Sequence, residues 1–312
     1  MFKHDLKLDN VFFEDSLDVS SQLINRSHLR YLNKGKHIRA QLLTKLGNVL
    51  DIEDSYLSVL SRVVEMTHNA TLVHDDVIDN SLYRRKSNTL NAVYDNKTTV
   101  LFGDYILARA MYELSVLERP RLISQMALAL KRLVDGELTQ LNAKNPFDFS
   151  LEDYDRLAKN KTGALFSWAL SSIIELGVSE SLINFDLIDN IGLEFGKLFQ
   201  VRDDILDFST DSKTCGLDIQ NNNINYILTL LNEELSPVQK ESILSAQSID
   251  HLETEIKTML YSFVHEQEKA FDHCLESFLE DHIFALDLGV SALKKRKFIN
   301  IFVDVIEIMK LT

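Results

Sequence analysis

Long stretches of this chain repeat apolar residues at helical spacing, and residues that break helices are rare within them. Only 3 prolines and 10 glycines occur among the 312 residues. Proline and glycine are the residues that helix interiors tolerate least, and no strand-like alternation competes with the helical spacing. The sequence therefore predicts an all-α fold of long helices. Their expected positions are residues 37–50, 55–83, 98–117, 121–143, 151–178, 184–209, 224–233, 238–246, 249–279 and 283–310.

The chain offers no obvious domain boundary. No shift in composition and no linker rich in glycine or serine divides it. We therefore expect residues 1–312 to form a single domain, one large helical bundle with a central cavity. In such bundles, functional groups come from side chains on facing helices.

Two acidic clusters of identical spacing stand inside the apolar, helix-like stretches. Both read Asp-Asp-x-x-Asp, and their members are Asp75, Asp76, Asp79, Asp203, Asp204 and Asp207. On a helix, the first and last aspartate of each cluster share a face and repel each other, and a buried carboxylate is disfavoured unless it is paired or binds a cation. Mg²⁺ takes one or two carboxylates and completes its shell with water and substrate phosphates. The two clusters therefore predict a magnesium-bound diphosphate, whereas a solvated acidic helix face is the alternative for either cluster alone.

Net charge and cysteine content argue against several classes of protein. The formal charge of -14 is unfavourable for non-specific nucleic-acid binding, which needs a basic surface. The two cysteines, Cys215 and Cys274, lack the spacing of a zinc site or a disulfide framework. The N-terminal residues show no signal segment, and no apolar window is long enough to predict a membrane span. We expect a soluble cytoplasmic protein.

Three sets of cations are candidates for binding substrate phosphates, namely Lys36 with Arg39, Arg84 with Arg85, and Lys161. The first pair borders a glycine before a predicted helix, where backbone amides can approach an anion. The two arginines follow the first acidic cluster, where they would bind phosphate oxygens or, as the alternative, complement the helix dipole. The lysine lies in an apolar run, with its ammonium directed either inward or outward to solvent.

Together these residues resemble the all-trans polyprenyl diphosphate synthase family, which has the isoprenoid synthase fold. The resemblance extends over nearly the whole chain, and its motifs occur in the order of the family. They are Gly35–Arg39, Glu65–Asp79, Arg84–Arg85, Gly103–Tyr105, Gly136–Glu137 with Gln140, Lys161–Thr162 and Phe199–Asp207. Each motif alone is weak, whereas their combination is specific.

The resemblance implies a magnesium-dependent prenyltransferase that condenses isopentenyl diphosphate with an allylic diphosphate, either farnesyl or geranylgeranyl. It implies that all six aspartates of the acidic clusters hold Mg²⁺ on the allylic diphosphate. Members of the family commonly form homodimers, which we expect here, with a hetero-oligomer as the alternative.

The resemblance also implies which side chains contact the two substrates. The residues implied for isopentenyl diphosphate are Lys36, Arg39, His68 and Arg85. The residues implied for the allylic diphosphate and for the cation that its departure leaves are Arg84, Lys161, Thr162 and Gln200. Of these, Lys161, Thr162 and Gln200 would act in the chemical step, together with Asp75, Asp76 and Asp203.

The stretch before the first acidic cluster bears on product length. Short-chain members generally carry a bulky aromatic residue there, whereas this chain has Ala70 and Thr71, with Thr67 one helical turn earlier. No aromatic residue occurs between Tyr56 and Tyr83, so about 28 Å of helix before the cluster carries no ring. The resemblance thus implies a long-chain product of the kind used for quinone side chains. Aromatic residues of a neighbouring helix that would shorten it are Phe102, Tyr105 and Tyr112.

The segment after the second acidic cluster departs from the family pattern. Members usually carry a lysine-bearing loop that closes over the diphosphate, whereas Lys213 is the only basic residue from Phe208 to Ser236. Fewer charge-assisted contacts would weaken diphosphate capture. A weakly active or non-catalytic regulatory subunit is therefore an alternative, although all six aspartates remain. A class I terpene cyclase is less favoured, because the second cluster is again Asp-Asp-x-x-Asp and Gly35–Arg39 resembles an element for isopentenyl diphosphate. A short-chain synthase is less favoured, because no bulky aromatic residue precedes the first cluster.

Overall fold

Helices make up most of the described chain and the only strands described there are those of one short hairpin, which confirms the all-α prediction. The computed structural model describes residues 35–84, 87–143, 145–208, 223–246, 249–284 and 286–310. The helices are α1 (Ile38–Val49), α2 (Asp54–Ile78), α3 (Leu90–Val93), α4 (Asn96–Ser115), α5 (Pro120–Asn142), α6 (Leu151–Ala158), α7 (Ala164–Gly177), α8 (Phe185–Asp207), α9 (Tyr226–Leu231), α10 (Pro237–Ser245), α11 (Thr254–Phe278) and α12 (Ala292–Lys310). Within the described ranges, no helix combines the length and apolar character needed to cross a membrane.

The chain divides into two compact units, Met1–Ser124 and Gln125–Thr312. The expectation of a single domain with a central cavity stays a prediction. In the first unit, α2 packs against both α1 and α4. Its buried apolar residues recur at every third or fourth position, as in Leu57, Leu60 and Val64, so one continuous face of α2 forms the core of this unit.

The end of α2 differs from the prediction. The sequence predicts helix to residue 83, whereas α2 ends at Ile78. Asn80 adopts a left-handed conformation with φ 51°, which ends a helix and which asparagine tolerates better than most residues. The chain then forms a hairpin in which β1 (Tyr83–Arg84) pairs with β2 (Ser87–Asn88) in antiparallel fashion.

In the second unit, α7 is the central helix. Every residue from Ala164 to Ile174 is buried, as expected for a helix with neighbours on all sides. It packs chiefly against α8. The ring of Phe195 on α8 lies 5.3 Å from Phe166, 5.9 Å from Phe278 and 4.9 Å from Phe302 between ring centroids, and this aromatic cluster ties α11 and α12 to the central pair.

A π-helical turn, Lys159–Gly163, separates α6 from α7, where the sequence predicts one regular helix. The turn lies directly against α8, because a Cβ atom added to Gly196 would lie 2.3 Å from the Cα atom of Gly163. Only glycine permits two helices to approach this closely. Such turns are rare and are frequently found at functional sites.

Candidate functional site

The last turn of α2 carries the first acidic cluster and separates its carboxylates. Asp76 is fully buried, Asp75 is half-buried and Asp79 is exposed. This follows from helix geometry, since residues four apart share a face and the residue between them points elsewhere. Arg84 Nε of the hairpin donates to Asp76 Oδ1 at 2.7 Å. Asp76 therefore anchors the hairpin, while Asp75 and Asp79 lie on the more open face.

His74 fixes the turn before the first acidic cluster against α4. Its Nε2 atom lies 3.3 Å from the carbonyl oxygen of Val100 and 3.3 Å from Asp104 Oδ1. The imidazole fits because residue 103 is glycine, whose Cβ atom, if present, would lie 2.3 Å from His74 Nε2. Sequence analysis assigns no role to this histidine, and its place within the Glu65–Asp79 motif is the only signal for one.

The start of α1, which carries Lys36 and Arg39, is held by a carboxylate of α2. Buried Glu65 accepts the backbone N–H of Ala40 at 3.1 Å, and its other oxygen lies 3.3 Å from His37 Nδ1. The first N–H groups of a helix lack partners within it, and a negative charge is favourable there. Glu65 thus fixes these two cations relative to α2, on which half-buried His68 lies one turn further along.

The second acidic cluster, at the end of α8, repeats the pattern of the first. Asp204 is buried, whereas Asp203 is exposed and Asp207 half-buried. In both clusters, therefore, the second aspartate belongs to the protein interior. The outer two are the ones that remain accessible to a ligand.

Asp204 accepts hydrogen bonds at both carboxylate oxygens. Gln200 Nε2 donates to Oδ1 at 2.6 Å, while the Tyr154 hydroxyl and the Tyr226 backbone N–H each donate to Oδ2 at 2.7 Å. The hydroxyl of Thr162 in turn donates to Gln200 Oε1 at 2.6 Å. A continuous set of hydrogen bonds thus connects the π turn with the second acidic cluster and brings three of the predicted site residues together.

Lys161, also in the π turn, is held by α5. Its Nζ donates to Gln140 Oε1 at 2.8 Å and lies 2.7 Å from Glu137 Oε2. These partners come from the Gly136–Glu137 and Gln140 motif. The ammonium is therefore directed to α5 and remains half-buried, which is a position from which it can reach an anionic ligand.

The donor set suits a metal that binds together with its substrate. Among the residues that the structure describes, no three His, Cys, Asp or Glu side chains lie close enough together to hold an ion alone. Mg²⁺ commonly takes one or two carboxylates and fills its shell with phosphate oxygens and water. The outer aspartates fit this need because they are the more exposed members of each cluster. Asp76 and Asp204 are buried and accept hydrogen bonds from protein groups, so their direct ligation stays a prediction.

The residues predicted to set chain length lie on α2. Thr67 and Ala70 are buried, and Thr71 is half-buried. Of the three aromatic residues considered on α4, Phe102 is buried while Tyr112 is 62% exposed, which makes Tyr112 the weakest candidate for closing a path along α2. Arg85 and the lysine-poor segment 209–222 lie outside the described residues.

Three further contacts were not predicted from the sequence, and each of them joins residues that lie far apart in the chain. Tyr154 and Tyr226 carry no motif, and they meet Asp204 across 50 and 22 positions. Glu65, which meets Ala40 across 25 positions, is at least part of a motif. No local pattern indicates either tyrosine.

Comparison with known proteins gives a consistent result. The sequence profile of the family described as polyprenyl synthetase matches residues 21–263. A decaprenyl-diphosphate synthase of Dictyostelium discoideum is 39% identical over 189 residues, which are 59% of this chain and 40% of that protein. An octaprenyl diphosphate synthase of Escherichia coli K12 is 30% identical over 213 residues, 67% of this chain and 65% of that protein. The chain thus spans less than two thirds of the length of these relatives.

A solved structure extends the likeness to the fold. The octaprenyl pyrophosphate synthase from Helicobacter pylori superposes with a TM-score of 0.70 and 26% identity, and covers 90% of this chain and 91% of that one. The predicted fold type is thereby confirmed.

Proposed function

This chain belongs to the polyprenyl synthetase family, and we propose that it condenses isopentenyl diphosphate with an allylic diphosphate to give a long-chain all-trans polyprenyl diphosphate. The observation that carries the proposal is the shared arrangement of the two acidic clusters, each with a buried, hydrogen-bonded second aspartate and two more accessible outer ones. The names of the relatives, decaprenyl and octaprenyl synthases, support a long product for quinone side chains.

The described side chains have separate tasks in this proposal. Mg²⁺, when bound by the acidic clusters, would neutralise charge that develops on the departing diphosphate. Lys161, Thr162 and Gln200 would stabilise that charge and the allylic cation from fixed positions, which costs little reorganisation. Lys36 and Arg39 would hold the diphosphate of isopentenyl diphosphate, so that its double bond attacks the cation; the proton then lost passes to the departed diphosphate.

A product assay tests the proposed function. Purified protein is incubated with Mg²⁺, labelled isopentenyl diphosphate, and either farnesyl or geranylgeranyl diphosphate, and the extracted products are sized. We expect a ladder that ends at a long polyprenyl chain, and no products from Asp75→Ala prepared in parallel. No elongation with any primer would instead favour the regulatory subunit, whereas a cyclised hydrocarbon would favour a terpene cyclase.

We also propose that the chain forms a homodimer through α5. Val134, Leu138 and Leu141 on this helix are each more than half exposed and share one face at helical spacing. Adjacent exposed apolar side chains commonly mark a protein interface. Leu138→Glu is expected to shift the protein from dimer to monomer in size-exclusion chromatography with light scattering, because a charge would be buried at the interface.

Leu128→Glu is the matched control for the dimer. Leu128 is also exposed on α5 but lies on a different face of the helix, so its substitution is expected to leave the dimer intact. A monomeric wild-type protein, or equal effects of both substitutions, would contradict this interface.

A further inference from the structure

Two lysines and two carboxylates form a closed ring of ion pairs beside the π turn. Lys159 Nζ lies 2.7 Å from Asp155 Oδ2 and 2.6 Å from Glu194 Oε1. Lys197 Nζ lies 2.8 Å from Asp155 Oδ1 and 2.6 Å from Glu194 Oε2. Each carboxylate thus uses both oxygens, one for each lysine. These four residues, which we call the ion-pair ring, carry no net charge together.

The ion-pair ring is one of three contacts that hold the π turn to α8. It fixes the first residue of the turn, Lys159. Gly163, the last residue, packs against Gly196 with no room for a side chain on either. Between them, Thr162 donates to Gln200. The turn is therefore attached to α8 along its whole length.

A π turn holds one residue more than a regular helical turn, so the backbone must be stabilised in this register. In a regular helix each residue advances by about 100° around the axis. If the turn reverted to regular helix, α7 would rotate by about this angle relative to α6, and Lys161 and Thr162, which lie inside the turn, would rotate by part of it. Their contacts with Gln140 and Gln200 would then be lost.

The charges of the ion-pair ring are stable around neutral pH. Burial alone would raise the pKa of Asp155 and Glu194, but hydrogen bonds from the two lysines outweigh it and lower both. Burial likewise opposes the charge of Lys159 and Lys197, yet the carboxylates raise the pKa of both. The acids therefore contribute stability that is lost only as pH falls through their lowered pKa values, and the lysines contribute stability that is lost only as pH rises through their raised ones.

We propose that the ion-pair ring holds the π turn in register and so positions Lys161 and Thr162 to stabilise the departing diphosphate. Its four members are positioning residues, and the inference rests on the proposed prenyl transfer. A displacement of catalytic groups by about 1 Å is enough to lower a rate about 100-fold. A ring two residues from Lys161 is therefore expected to control turnover without touching the substrate.

Lys197→Met tests this inference against a matched control, Arg132→Met. Arg132 of α5 donates two hydrogen bonds of 2.6 Å to Asp189 near the start of α8, and Lys197 of α8 pairs with Asp155 of α6. Both substitutions therefore remove a half-buried cation from an ion pair that joins α8 to another helix. Both are expected to lower Tm. Only Lys197→Met is expected to lower kcat, by about tenfold or more, with the KM for isopentenyl diphosphate unchanged, and Lys197→Arg is expected to restore kcat.

Hydrogen exchange gives a readout that does not depend on activity. The amides of residues 159–164 are expected to exchange faster in Lys197→Met and at the wild-type rate in Arg132→Met. Unchanged exchange in Lys197→Met, or equal losses of kcat in both variants, would overturn the role of the ring. A wild-type protein that fails to elongate any primer would overturn the proposed function instead.

Discussion

Replacing Asp203 with asparagine is expected to slow prenyl transfer by about 10²–10³-fold, the range found when one preorganised group that stabilises a charged transition state is removed. Asp203 is the exposed first aspartate of its cluster, so the substitution removes a charge without opening a cavity. Asp75→Asn is expected to give a comparable loss. The measurement is the initial rate of incorporation of labelled isopentenyl diphosphate at saturating Mg²⁺.

Asp186→Asn is the control for this loss. Asp186 is also an exposed carboxylate of α8 but lies in its first turn, far along the helix from the second cluster. Its replacement is expected to change stability by only a few tenths of a kcal/mol and to leave the rate unchanged. A rate near wild type in Asp203→Asn would contradict the assignment of this aspartate to the diphosphate.

Thr71→Phe is expected to convert the long product into a short one. Thr71 is half-buried on α2, so a phenyl ring there extends beyond the helix surface. The ring would close a path along α2 about 6 Å from Asp75. In the native chain, the stretch of α2 before Asp75 that carries no aromatic residue is roughly 28 Å long. The measurement is the size of the extracted products, with total incorporation recorded beside it.

Leu72→Phe is the matched control for product length. Leu72 is half-buried as well and points about 100° away from Thr71 around the helix. We expect its products to have the wild-type length. An unchanged ladder in Thr71→Phe, or shortening in both variants, would contradict growth of the chain along this face of α2.

The helices follow from the sequence because their apolar periodicity is long and uninterrupted. Where the observed helices differ from the predicted ones, the cause is a local backbone feature that the apolar periodicity does not indicate. α2 ends at Ile78 because Asn80 adopts a left-handed backbone, although the apolar pattern continues. The π turn at Lys159–Gly163 cannot be predicted from apolar periodicity. Gly163 and Gly196, which allow the turn to approach α8 closely, also fit ordinary helix packing and so do not indicate it.

The acidic residues of the candidate site can also be predicted from the sequence, whereas the different role of each aspartate cannot. Spacing predicts that Asp75 and Asp79 share a face, but it treats Asp76 as an equal member. Burial of Asp76 and Asp204 depends on neighbours such as Arg84 and Tyr154. Tyr154 lies 50 positions from Asp204, so no local sequence pattern indicates that the two residues are in contact.

The lysine-poor segment after α8 remains the strongest reason to consider a regulatory subunit. Against it stand the contacts of the described site, in which Lys161, Thr162 and Gln200 are each held by a specific partner. Such fixed polar groups are what transition-state stabilisation requires. These contacts and the six aspartates support the proposal of an active synthase.

The most direct test of the account is a crystal structure with Mg²⁺ and a non-hydrolysable analogue of farnesyl diphosphate. We expect one diphosphate bound through Mg²⁺ to outer aspartates of both clusters, Asp75 and Asp203 among them, at metal–oxygen distances of about 2.1 Å. A diphosphate held by one cluster alone, or bound without metal at saturating Mg²⁺, would contradict it.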